Sequence, residues 1–253
     1  MKKEIISILG CGWVGKALAR QLDVDYAVKA SVRSEEAYET LNVEKKYILN
    51  TENHFKKASF YETDTLIISL PPRDNYLVNL QEIVKNVHKT TQLILLSSTS
   101  VYAQTSGIVL EEDTQEIKTP NLMLQGERLV EELFPSVVIL RLGGLMGYNR
   151  VAGKYTAGKS LEHDAPVNYV HRDDVVNVIE LCIKKKLMFS VMNVTAPIEV
   201  SKKEIYDFNS QKYAFKKTFF VSSEIKGKYV SSTKLSEELA YNFLYFKCEN
   251  ICS

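Results

Sequence analysis

The sequence predicts an α/β protein, a doubly wound parallel sheet with helices on both faces, followed by a small C-terminal α/β lobe. Three observations carry this. Over the first two thirds of the chain, short β-rich runs alternate with helical patterns, as parallel strands joined by crossover helices require. Several runs are apolar on nearly every residue, the pattern of strands covered on both faces. A glycine-rich turn stands directly between the first run and the first helix.

Ile5 to Leu9 reads as the first strand, Trp13 to Leu22 as a helix with Val14, Ala17, Leu18 and Leu22 on one stripe, and Tyr26 to Val32 as the second strand. Tyr47 to Leu49 is a weak third strand. Leu66 to Leu70 is a strong fourth, ended by Pro71 and Pro72, which cannot donate to a ladder. A helix is expected from about Asp74 to Thr90, a fifth strand from Leu93 to Ser97, a helix over 120–134 and a sixth strand from Val137 to Leu142. Asp173 to Lys186 reads as a helix whose terminal lysines complement its dipole. After Val191–Val194 the rhythm of long crossovers stops. Ser201-Lys202-Lys203-Glu204 is a capping box, Tyr213 to Val221 an aromatic, basic stretch, and Ser236 to Leu239 a short helix. The expected division is 1–145 plus about 168–195 as the nucleotide-binding domain, and about 146–167 plus 196–253 as a small substrate-binding lobe.

The 253 residues are 45% hydrophobic and carry 32 Lys+Arg against 31 Asp+Glu, for a net charge of +1. That balance gives no electrostatic pull toward nucleic acid or an anionic membrane, so any partner must be recognised in a site. A basic, aromatic reading of Lys212 to Lys217 as a nucleic-acid surface is poor for that reason, and alternating Phe and Lys there resembles an edge strand with one wet face. No run approaches the ~18 apolar residues of a membrane span. Four cysteines form no disulfide framework, which predicts free thiols, a cytoplasmic location and no metal site.

Gly10-Cys11-Gly12-Trp13-Val14-Gly15 has the spacing of a diphosphate-binding turn. Gly10 permits the tight turn, Gly12 lets phosphates approach bare backbone, and Gly15 lets helix and strand pack closely. The helix start then offers N–H groups and a positive dipole end. This predicts dinucleotide binding on a Rossmann-type sheet. At the end of the second strand Arg33 can fork to a 2′-phosphate, with Ser31 and Ser34 as hydroxyl donors, whereas Glu35 falls after the strand end. NADP(H) is therefore favoured over NAD(H). Leu70, Pro71, Pro72 and Ser97, at the ends of the fourth and fifth strands, complete the expected cofactor-binding set.

These residues, with Ser97-Ser98-Thr99-Ser100-Val101-Tyr102, Arg141-Leu142-Gly143-Gly144-Leu145-Met146-Gly147 and Val170-His171-Arg172-Asp173-Asp174 in that order, resemble an extended short-chain dehydrogenase/reductase, the group of NAD(P)-dependent epimerases and dehydratases. The glycine spacing departs from the usual extended form and is more similar to an atypical branch of bacterial epimerase-like proteins.

The resemblance implies a catalytic Tyr with a Lys four residues later, and a Ser or Thr that orients the substrate oxygen. Ser98 matches that hydroxyl, with Thr99 beside it. The helix that should carry the pair reads Asn121 to Glu132, and its Tyr position falls on Leu124 or Met123, its Lys position on Arg128 or Glu127. Neither register supplies the proton-transfer residue, since Leu and Met exchange no proton and Arg holds its charge. Tyr102, Tyr148, Tyr155 and His171 are the candidate substitutes, although His171 at a helix start and Tyr102 read better as packing residues. Arg150 and Lys154, with Lys159, form a glycine-spaced basic loop suited to an anionic substrate, and Arg141, Tyr148 and Asn168 are further candidates for substrate contact by resemblance.

The expected function is an NAD(P)-dependent oxidoreductase or epimerase/dehydratase acting on a small polar substrate, with a non-catalytic NADP(H)-binding or redox-sensing module as the competing reading. A homodimer is a further expectation.

Overall fold

The computed structural model describes residues 3–53, 55–73, 75–102, 106–114 and 120–252. In chain order the elements are β1 (Ile5–Leu9), α1 (Trp13–Leu22), β2 (Ala27–Val32), α2 (Glu35–Glu39), β3 (Lys45–Ile48), α3 (Ala58–Tyr61), β4 (Thr65–Ile68), α4 (Tyr76–Lys85) and β5 (Gln92–Ser98). They continue with β6 (Gly107–Val109), α5 (Leu122–Leu133), β7 (Val138–Leu142), β8 (Gly144–Met146), β9 (Ser160–Asp164), β10 (Tyr169–His171), α6 (Arg172–Lys184) and β11 (Ser190–Val194). The chain ends with α7 (Lys202–Lys212), β12 (Phe219–Ile225), β13 (Lys228–Val230) and α8 (Thr233–Leu239).

Seven strands form one sheet in the order β11-β7-β5-β4-β1-β2-β3, and the pairs from β3 to β5 are parallel. The expected doubly wound α/β sheet is borne out. Strand order reverses between β1 and β4, and in such sheets ligands bind at the carboxyl ends of the strands flanking that reversal. The chain divides into two compact units: Met1–Val101, Lys118–Arg141 and Val176–Met192 form the first, and Tyr102–Ile117, Leu142–Val175 and Asn193–Ser253 the second.

The central strands of the first unit are buried along their length, so their polar atoms need internal partners. Ser7 in β1 donates to the Phe60 carbonyl at 2.7 Å. Thr65 in β4 donates to Gln92 Oε1 at 3.0 Å, and Gln92 Nε2 donates to the carbonyls of Cys182 and Leu187 at 2.8 and 2.9 Å. Lys29 in β2 is buried, donates to the carbonyls of Ser59 and Glu62, and has its pKa lowered by that burial.

Several elements differ from expectation. β4 stops at Ile68, although Ser69 N–H still reaches the Leu9 carbonyl at 2.8 Å. α4 spans Tyr76–Lys85, shorter than 74–90, because the Asn86 side chain takes the Glu82 carbonyl at 2.7 Å and ends the helix. Asp74 lies outside the described residues.

In the second unit three short parallel pairs form, β8 with β10, β9 with β12, and β6 with β13. The strand expected near Lys212 to Lys217 begins instead at Phe219, since Lys212 closes α7 and Ala214 turns the chain at φ 52°. The Ser201 capping box is present in both directions, with Glu204 N–H on Ser201 Oγ and Ser201 N–H on the Glu204 carboxylate.

Candidate functional site

In the first unit the turn after β1 differs at each of its glycines. Gly10 has φ +92°, and a Cβ there would stand 2.4 Å from the Ser69 carbonyl oxygen. A Cβ on Gly15 would meet the Gly10 carbonyl at 3.0 Å. A Cβ on Gly12 would meet nothing within 4 Å. The outer two glycines are thus required by packing of protein on protein, while the middle one faces open space. Gly12 is also the N-cap of α1 and offers no side-chain acceptor to the amides of the first turn. That combination is a cradle of bare backbone at a helix start, the arrangement that receives phosphate oxygens.

The side chains around the turn serve structure. Cys11 is buried, with its thiol pushed up to about 12 by desolvation, so only its backbone can face a ligand. Ser31 is buried, and its hydroxyl accepts the Gly10 N–H at 3.2 Å while its carbonyl takes the Cys11 N–H at 2.7 Å. It therefore fastens the turn instead of reaching a 2′-phosphate as expected. Ser34 caps α2, accepting from Ala37 N–H at 3.4 Å, and Glu35 opens that helix. Arg33 is exposed, as are Ser34 and Glu35, and its loop is held by Asn50, whose amide donates to the Arg33 carbonyl at 3.0 Å.

Beside the turn, along the carboxyl ends of β2, β3 and β4, lies a cleft of about 300 Å³ lined by Arg33, Asn50, Leu70, Pro71, Arg73 and Tyr76 among others. Leu70 links it to the turn, since its Cδ2 would be 3.2 Å from a Cβ on Gly10. Arg73 and Tyr76 were not singled out from sequence, and only the position of Arg73 directly after the proline pair signals it.

At the end of β5, Ser97 is buried and donates to Glu127, while Ser98 is half-buried and its Oγ accepts the Ser100 N–H at 3.1 Å. Thr99, also half-buried, starts a short 3₁₀ turn. Along α5, Met123, Leu124 and Glu127 are buried and Arg128 is exposed. Arg141 from β7 meets Glu127 with Nε at 3.1 and 3.2 Å and one terminal nitrogen at 2.8 Å. Arg141 is thus an interior ion-pair partner, not the substrate ligand expected from its motif.

In the second unit, Tyr102 is buried and donates to Asn193 Oδ1 at 2.6 Å, and His171 is buried with its ring stacked on Tyr245 at 3.8 Å between centroids. Nδ1 of His171 accepts the Asp173 N–H at 3.2 Å, and Gly147 gives room to the ring, whose Nε2 would be 2.3 Å from a Cβ there. Both residues are buried and held by these contacts. Asn168 accepts Val230 N–H at 2.7 Å and donates to the Lys228 carbonyl at 2.9 Å, so it staples the chain to β13.

Tyr148 is different. It is 49% exposed, stands at φ 57°, lies under the Arg172 guanidinium at 4.0 Å and donates to Asp173 at 2.5 Å, a bond that raises its pKa. The basic loop is tied down rather than free. Gly147 and Arg150 exchange backbone bonds of 3.0 and 3.1 Å, Gly153 packs on Tyr206, and Gly158 N–H takes the Lys217 carbonyl at 3.0 Å. Lys154 and Tyr155 remain exposed on it. Among the described residues no group of His, Cys, Asp or Glu is arranged to hold a metal ion, and no helix is long and apolar enough to cross a membrane.

No protein-family model matches the chain. It is 29% identical over 272 aligned positions to Protein YeeZ of Escherichia coli strain K12, with 97% of each chain covered. Among solved structures it is similar to UDP-glucuronic acid 4-epimerase from Bacillus cereus in complex with NAD, with a TM-score of 0.79 at 16% identity over 98% of this chain and 95% of that one. MoeE5 in complex with UDP-glucose and NAD gives 0.75 at 16% over 97% and 95%, and a conserved protein of unknown function from Silicibacter pomeroyi DSS gives 0.79 at 16% over 96% and 94%. At these identities the likeness to the solved structures is one of fold. The chain has the fold of the NAD-dependent epimerases and dehydratases, as the order of its motifs anticipates.

Proposed function

We propose that the protein belongs to the extended short-chain dehydrogenase/reductase group and is an NADP(H)-dependent oxidoreductase or epimerase/dehydratase-like enzyme acting on a small polar, anionic substrate. The observation that supports this most is the contrast at the turn, where Gly10 and Gly15 are hemmed in by protein while Gly12 opens onto free space at the start of α1. The amides there suit a diphosphate, and Arg33 suits the 2′-phosphate that separates NADP from NAD. When bound, the nicotinamide supplies the hydride chemistry. Ser98, at the end of β5, is the hydroxyl we assign to orienting a substrate oxygen.

In either register α5 carries no Tyr with a Lys four residues later, so turnover depends on a proton carrier other than that couple. The solved neighbours named above hold UDP-glucose or act on UDP-glucuronic acid, which makes UDP-sugars the first substrates to try. The absent Tyr and Lys favour a second reading, a cofactor-binding or redox-sensing module without turnover. A soluble cytoplasmic homodimer acting without nucleic acid or membrane fits either reading.

Fluorescence titration with NADPH and NADH side by side, followed by a screen of carbonyl compounds and UDP-sugars with the tighter cofactor, tests the proposal. Tighter NADPH binding with turnover supports the enzyme. NADPH binding with no turnover on any compound supports the module. Equal affinities remove the role of Arg33, and binding of neither cofactor removes both readings.

A further inference from the structure

The cleft beside the glycine turn carries two arginines from different parts of the chain. Arg33 follows β2 and Arg73 stands on the connection from β4 to α4, and both line the same space of about 300 Å³. Both are exposed. The other polar residues that line it, Asn50, Thr51, Asn75, Tyr76 and Asn79, are neutral, and Leu49, Phe55, Leu70 and Pro71 give it apolar walls. No carboxylate lines it among the described residues. An apolar-walled cleft lined by two exposed arginines suits an aromatic base that carries a phosphate dianion.

Position identifies which phosphate. Leu70 touches both the cleft and the Gly10 turn, so a ligand resting its diphosphate on the turn extends its adenosine into this cleft. The ribose 2′-position then lies toward the strand ends that bear the arginines. A phosphate monoester there carries nearly two charges at neutral pH, and a single guanidinium balances one. Both arginines are also set on stiff supports. Asn50 binds the Arg33 carbonyl, and Arg73 follows two prolines and accepts the Tyr76 N–H at 3.0 Å through its own carbonyl. Little backbone freedom is lost when they close on a ligand.

We propose that Arg73 is the second arm of a two-arginine clamp on the 2′-phosphate of NADP(H), and that Arg33 and Arg73 together set the preference over NAD(H). This rests on the dinucleotide reading of the glycine turn. The test is calorimetric or fluorescence titration of the wild type, Arg73→Gln, Arg33→Gln and the double variant with NADPH, NADH, 2′,5′-ADP and AMP, with the ligand-free melting temperature of each as a control on folding. Loss of a charge-assisted bond to phosphate is expected to weaken NADPH and 2′,5′-ADP about tenfold or more in Arg73→Gln, with NADH and AMP unchanged within about twofold. Arg73→Lys is expected to fall between wild type and Arg73→Gln.

If Arg73→Gln leaves NADPH affinity within twofold while Arg33→Gln lowers it, Arg73 has no part in the clamp and the dinucleotide reading stands. If Arg73→Gln weakens NADH and AMP as much as NADPH and 2′,5′-ADP, it stacks on the base, and the clamp is overturned. If the wild type binds none of the four, the dinucleotide reading itself falls.

Discussion

The Asp174 carboxylate receives the Tyr241 hydroxyl at 2.6 Å and the amides of Leu244 and Tyr245 at 2.9 and 3.2 Å, so one fully buried acid holds the segment after α8. Its surroundings consist of donors. Asp174→Asn would point an NH₂ group at them, and a loss of about 1–3 kcal/mol is expected from the groups left unpaired. Urea unfolding of both proteins measures it.

The same residue gives a pH dependence. Desolvation by burial raises the Asp174 pKa, against the three hydrogen bonds and the nearby His171, which lower it. The folded state thus keeps this proton to higher pH than the unfolded state does. Its contribution is fully present below the ordinary aspartate value of about 3.9 and is lost as pH rises through the raised folded value. The stability difference between wild type and Asp174→Asn is expected to shrink as pH rises above about 3.9. A difference that grows over that range overturns the assignment.

Gly10 and Gly12 are expected to separate folding from binding. Gly10→Ala puts a methyl 2.4 Å from a carbonyl oxygen at φ +92° and should cost about 1–3 kcal/mol or more in stability. Gly12→Ala meets no neighbour, so its stability should stay within about 1 kcal/mol of wild type while NADPH affinity falls at least tenfold. Denaturant midpoints and cofactor titration on the two variants check both halves.

Breaking the Glu127–Arg141 pair is expected to be severe, since each partner leaves the other charged and buried. Glu127→Ala should cost about 3–5 kcal/mol, and Glu127→Leu combined with Arg141→Met much less. Equal losses in the single and double variants would show that the cost comes from lost packing instead.

Thiol labelling at about pH 8 should mark Cys248 first, although burial raises its pKa too, and should reach Cys11, Cys182 and Cys252 only on unfolding. Mass spectrometry of alkylated peptides reads the order directly.

The elements that position the glycine turn are legible because β1 and β5 are nearly unbroken apolar runs and α1 repeats its apolar residues at helical spacing, and the Ser201 capping box because its chemistry is local. Ala58–Tyr61 is a single helical turn, and Gly107–Val109, Gly144–Met146 and Lys228–Val230 are three-residue strands, too short for any period to show. Their pairing partners are also distant in sequence.

The candidate site divides along the same line. The backbone-directed roles of Gly10, Gly12 and Gly15 follow from spacing, but what a polar side chain meets depends on the fold. Ser31, Asn168, Tyr102 and His171 carry groups suited to binding or proton transfer, and the fold spends each on an internal bond or ring contact. Arg141 reads as a candidate for substrate contact and Glu127 as a possible occupant of the Lys position, and their ion pair shows only once α5 and β7 face one another.

Glu127 also limits what this stretch of α5 can carry. A lysine in its place would set an ammonium against Arg141 after removing the carboxylate that pairs with it. Two cations in that dry interior repel, so a lysine there is tolerated only if Arg141 changes with it.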